Sequence, residues 1–181
     1  MSTSITNRGF TLLEMIVSVG IFSIVMLIAI GAYLVIINAD RRARTTNDLA
    51  TSLTFAVDNI NRSIRTGSAY QCAGGTNCWP AGGSSLALTD DLGQTVTYLL
   101  KTDNTIGKCS TLPCTTSNAI SITDPRITIQ SLVFYVAGVG TSDTLQPRVT
   151  FVIQGSVRPD ATSTPTTFSI QSTAVQRTID L

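Results

Sequence analysis

The chain reads as an α+β protein in which one long N-terminal helix packs on a C-terminal antiparallel β-sheet. Three observations predict this class. Residues 10–37 are apolar apart from a single carboxylate, Glu14. No proline stands between Phe10 and Trp79, and beyond the apolar run hydrophobic residues recur at spacings of three and four as far as Ile64. After residue 83 the apolar period changes to two.

Residues 10–37 exceed the roughly 20 that cross a bilayer at about 1.5 Å per residue, so the run is expected to lie in membrane lipid. A carboxylate at the centre of such a segment costs about 2.5 to 3.5 kcal/mol, and Glu14 therefore calls for a functional reason. The polar leader ending in Arg8-Gly9 stands directly before the run. A secretory signal has the opposite order, with its cleavage site after the apolar core. Cleavage after Gly9 would leave the membrane helix in the mature protein.

Residues 38–66 continue the helix in amphipathic form. Leu49, Leu53, Ala56, Val57, Ile60 and Ile64 make one stripe, while Asp48, Asn59, Arg62 and Arg65 take other positions. One helix from Thr11 to Thr66 is allowed, with Gly20 and Gly31 its weak points. Between residues 67 and 83 the glycines and Pro80 predict a loop. Strands are expected at 86–89, 95–100, 119–123, 127–136, 148–154 and 167–175. The apolar phase slips between Ile129 and Leu132, which predicts a bulge. Short connections without helical patterns make the sheet antiparallel. The expected organisation is leader 1–9, membrane helix 10–37, amphipathic helix 38–66 and a β-rich domain 67–181.

The run Arg8-Gly9-Phe10-Thr11-Leu12-Leu13-Glu14 closely resembles the prepilin cleavage and methylation motif of type IV pilins and type II secretion pseudopilins. The resemblance implies a pilin-like fold and processing by a prepilin peptidase. This membrane enzyme cuts between Gly9 and Phe10 on the cytoplasmic side and methylates the new amine, giving N-methylphenylalanine at Phe10. It also implies polymerisation with other pilin or pseudopilin subunits at an inner-membrane assembly platform. There the Glu14 carboxylate of an incoming subunit is attracted to the Phe10 amine of a neighbour. Opposite charges in a low-dielectric bundle offset a desolvation cost that lipid alone leaves unmet. A local role is compatible with this, because Thr11-x-x-Glu14 also fits a helix capping box.

The same resemblance implies a single-pass protein of the bacterial cytoplasmic membrane, N-terminus inside and β-domain outside, moving later to a surface pilus or a periplasmic pseudopilus. Arg41, Arg42 and Arg44 outnumber Arg8 and, by the positive-inside rule, argue for the reverse orientation; the leader motif overrides them here. The β-rich half, with Leu132-Val133-Phe134-Tyr135 and the stretch from Phe168 to Thr173, is similar to minor pilins and pseudopilins of the J or W type.

The full chain has 181 residues, 12 basic and 11 acidic side chains and no histidine. Loss of the leader removes only Arg8, leaving 11 against 11, and such a balance points to no nucleic-acid partner. Cys72 and Cys78 flank one loop, Cys109 and Cys114 another. Four cysteines permit three pairings, and their even number and loop positions in an exported domain favour the two local disulfides. A four-cysteine zinc site is the alternative, disfavoured by the wide spacing within each pair. No metal or cofactor is expected.

Without histidine the commonest general base is missing, and no phosphate-binding or nucleophile-elbow pattern occurs, so an enzyme is not expected. Asp90-Asp91 and Asp103-Asn104 read as turns rather than as calcium ligands or acid/base groups. Trp79 reads as cover for the edge of a small core. Its other reading is a contact residue of a membrane-anchored or filament-tip binding module, which is the alternative function. The leading expectation is a structural subunit of minor abundance in a type IV pilus or type II secretion pseudopilus.

Overall fold

Thr11 starts the long helix, accepting the Glu14 N–H on its hydroxyl at 3.2 Å, as an N-cap side chain does. The computed structural model describes residues 9–73, 75–110, 113–140, 145–158 and 164–177, so that of the expected leader only Gly9 is among them. Helix α1 is Leu12–Thr66, uninterrupted at Gly20 and Gly31. The chain divides into two compact units, one ending at Arg44 and one starting at Thr45.

In the first unit the apolar side chains are exposed along the whole run, from Phe10 at 75% to Ile36 at 65%. The two serines of this run do not leave their hydroxyls unbonded in the apolar setting. Ser18 and Ser23 donate to the carbonyls of Glu14 and Val19, four residues back.

The second unit holds the core and, among the described residues, eight strands. These are β1 Ser68–Cys72, β2 Ser85–Thr89, β3 Thr95–Leu100, β4 Ile106–Cys109, β5 Ile120–Ser121, β6 Ile127–Ala137, β7 Arg148–Val157 and β8 Thr166–Val175. They form two antiparallel sheets rather than one, with orders β1-β2-β3-β4-β5 and β6-β7-β8. The helix contributes Leu49, Leu53, Ala56, Ile60 and Ile64 to the core, all of the stripe seen in the sequence except the half-buried Val57. Phe134 and Phe151, opposite each other in the β6–β7 ladder, stand 6.2 Å apart at its centre.

The expected bulge lies between Ile129 and Ser131, where the β6–β7 register shifts. Gly155 is the residue facing it. A Cβ there would come within 2.5 Å of the Thr128 carbonyl oxygen and 2.8 Å of the Phe168 ring, so the close approach requires glycine.

β1 and β4 fall where no strand is expected from the sequence. β1 has only two inward residues, Tyr70 and Cys72, and its register is broken between Ser68 and Gln71, with Ala69 at φ 51°. β4 has four residues, of which Gly107 and Lys108 carry no strand signal. The strand expected at 119–123 shrinks to the two residues of β5.

Two tyrosines tie the helix end to the first sheet. The Tyr70 hydroxyl donates toward the carbonyls of Ile64 (2.6 Å) and Gly67 (2.8 Å), serving groups that the helix leaves unpaired at its C-terminus. The Tyr98 hydroxyl joins Ser63 (2.7 Å) and Asn59 (2.8 Å). Burial pushes both phenols from 10.0 up to about 12. An unfolded chain releases these protons near pH 10 and the folded chain near 12, so the stabilisation is complete below pH 10 and falls as pH rises between those values. The full chain in detergent micelles is expected to lose thermal stability across this window, with a shallower decline in Tyr98→Phe. Melting curves followed by circular dichroism at a series of pH values check it, and an equal slope in the variant would refute the assignment.

Candidate functional site

Gly9, Phe10 and Thr11 directly precede α1 and Glu14 lies in its first turn, all four exposed. Of the capping box only one half is made. The Thr11 hydroxyl takes the Glu14 N–H, while the Glu14 carboxylate has no hydrogen-bond or ion-pair partner among the described residues. The carboxylate is thus not consumed by its own helix end, although its first-turn position still favours the helix dipole. It stands one turn from Phe10, the residue after the expected cleavage point. Leu12 and Leu13, between the two, are 79% and 72% exposed.

This arrangement has definite chemical possibilities. A bare apolar helix of this length crosses a bilayer or packs against other helices. A free carboxylate at its start can then accept a cationic partner supplied by another molecule. No such cation lies near it within the described chain. Farther along, Asp40 pairs with Arg44 at 2.8 Å, so this arginine of the flanking cluster has a local partner.

The cysteines are joined as Cys72–Cys78 and Cys109–Cys114, with Cα separations of 5.9 and 5.8 Å. The first loop is fastened to the outer edge of β6. Gly83 and Phe134 exchange backbone hydrogen bonds of 2.8 Å, and the Cys78 N–H donates to the Val136 carbonyl at 3.3 Å. Trp79, 58% exposed, meets Tyr135 edge-on with ring centroids 5.8 Å apart. It covers the outer side of the β6 sheet and does not reach the core.

The two acidic stretches form turns. The Asp90 carboxylate accepts the N–H groups of Leu92 and Gln94, and Gly93 takes φ 75° to close the β2–β3 connection. Hydrogen bonds from Thr105 and Lys101 hold the Asp103 carboxyl below the usual range, while the next residue, Asn104, adopts φ 58°. Among the described residues no three His, Cys, Asp or Glu side chains converge as a metal-binding group.

Sequence reasoning missed one feature of the surface. Arg62, Arg65 and Arg177 line a cleft with Asp58 and Asn61. The signal lay in the two helical arginines, one turn apart, but the third comes from the far end of the chain.

Residues 6–30 match the prokaryotic N-terminal methylation motif. No curated protein and no solved structure matches the chain. The motif, the long apolar helix that carries it and the antiparallel sheets together support a type IV pilin-like or pseudopilin-like chain of structural type.

Proposed function

We propose that this chain is a subunit, of minor abundance and of the J or W type, in a type IV pilus or type II secretion pseudopilus. The motif match supports processing by a prepilin peptidase between Gly9 and Phe10, with methylation of the new Phe10 amine. The observation that carries the reading further is the unpartnered Glu14 carboxylate at the head of an exposed apolar helix. Within lipid such a group is costly, and pairing with the amine of a neighbouring Phe10 offsets that cost only when the subunits are in one axial register. Before assembly the helix spans the cytoplasmic membrane, and the unit beginning at Thr45 lies outside. The two disulfides suit that compartment.

Intact-mass measurement of the protein from its native filament tests the processing directly. The expected mass corresponds to a chain beginning at Phe10, one methyl group heavier, with all four cysteines oxidised. A polymerised chain that retains Met1 would exclude the proposal.

A further inference from the structure

Among the described residues the second unit has four sheet edges, and three of them are short, irregular or covered. β1 carries a register break and β5 has two residues. The outer edge of β6 is bulged and bonded to Cys78, Gly83 and Asn104. β8 differs from all of these. Its ten residues, Thr166–Val175, hold an unbroken register with β7, and its other edge has no backbone partner among the described residues. Sheet proteins ordinarily blunt an exposed edge with charge, proline, a bulge or a cover. The strand Thr-Thr-Phe-Ser-Ile-Gln-Ser-Thr-Ala-Val has none of the first three.

A groove follows β8 beside the helix residues of the same unit, and its two ends differ in chemistry. At the start of the strand, Phe168 and Val157 face Leu49, Ala50 and Leu53, an apolar lining. Midway, the Ser172 hydroxyl donates to the Asn61 side-chain oxygen at 3.0 Å. At the far end Thr173, Ala174 and Val175 line a cleft with Asp58, Asn61 and Arg65, and the surface continues to Arg62 and Arg177. The Arg177 N–H donates to the Arg65 carbonyl at 2.9 Å, which fixes the two chain segments together. Three guanidinium groups thus share the end of the groove with one carboxylate. None of the three makes an ion pair within the described residues, whereas Lys101 and Arg126 of the same unit are paired with Asp103 and Asp124.

We propose that the free edge of β8 receives an extended, acid-bearing strand from a neighbouring filament subunit, adding a fourth strand to the β6-β7-β8 sheet with its carboxylate among Arg62, Arg65 and Arg177. An open ladder supplies main-chain hydrogen bonds without regard to sequence, and the groove supplies the selectivity: apolar at one end, cationic at the other. Ten residues offer about 33 Å of edge, long enough for both ends to be engaged by one strand. The inference rests on the filament reading above.

Hydrogen exchange of the β8 peptide tests it, measured by mass spectrometry on the full chain in detergent micelles and on sheared native filaments. In micelles the β8 amides that do not bond to β7 exchange fast. In filaments their exchange is expected to slow by about tenfold or more, and R62Q/R65Q should restore the micelle rate while the subunit is still incorporated. A benzophenone attached at Gln171→Cys should crosslink, in filaments, to a subunit segment containing Asp or Glu. Equal exchange in micelles and in filaments that contain the protein would overturn this proposal alone. Unaltered protection in R62Q/R65Q, or a crosslink to lipid or to a protein outside the filament, would also overturn it. Absence of the chain from filaments would overturn both this and the function proposed above.

Discussion

Glu14→Ala is expected to leave the protein in the membrane at normal or higher level and to lower its recovery in sheared filaments about tenfold or more. Removing a charge from an apolar helix favours insertion, so any loss must arise at assembly. A carboxylate and an amine about 4 Å apart interact by about 4 kcal/mol at an effective dielectric constant of 20, of which desolvation cancels a part. A residual of about 1.4 kcal/mol is enough for the tenfold change. Quantitative immunoblotting of the membrane and filament fractions reads both quantities at once. Glu14→Gln, which keeps the size and loses the charge, should behave like alanine. Normal incorporation of either variant would show that the carboxylate has no part in joining subunits.

The largest effect on folding is expected at Phe134. Its ring is fully buried against Phe151, and the strand that carries it bonds on both edges. Phe134→Ala leaves a cavity where the β6–β7 ladder faces the helix stripe and should cost about 3 to 5 kcal/mol. Domains are stable by about 5 to 15 kcal/mol, so much of the stability of the unit would be lost. A fall of about 10 °C or more in melting temperature is expected for the full chain in micelles. Phe55→Ala is the matched control. That ring lies on the same helix as the core stripe but is 60% exposed, and its loss should change stability by no more than about 0.5 kcal/mol. Similar melting temperatures for the two variants would mean that the burial described for Phe134 does not stabilise the protein.

The parts of this fold that the sequence reveals are those governed by one period over many residues. The absence of proline from Phe10 to Trp79 and the stripe from Leu49 to Ile64 define α1 nearly to the residue, because both signals repeat over several turns. β6 and β7 are legible for the same reason, and so is their bulge, since an inserted residue shifts every inward side chain after it. β1 and β4 are not legible. Each has too few inward residues to show a period, and each is held by its neighbours in the ladder rather than by its own pattern. The division into two sheets is equally hidden, because alternation tells which face a side chain takes and not which strand lies alongside.

The N-terminal site divides in the same way. Gly9, Phe10 and Glu14 stand out as a contiguous motif, and the free state of the carboxylate needs the geometry of Thr11 to be seen. The arginine cleft needed the fold entirely. Arg177 reaches Arg65 only because β8 runs alongside the helix and brings the end of the chain back to it.

The two sulfur bridges close short rings between Cys72 and Cys78 and between Cys109 and Cys114. A hydrolysed peptide bond inside either ring leaves both parts of the chain covalently connected. The first ring is in addition clasped to β6 on its far side. In the extracellular setting proposed above, a chain nicked inside either ring would therefore keep its two parts joined.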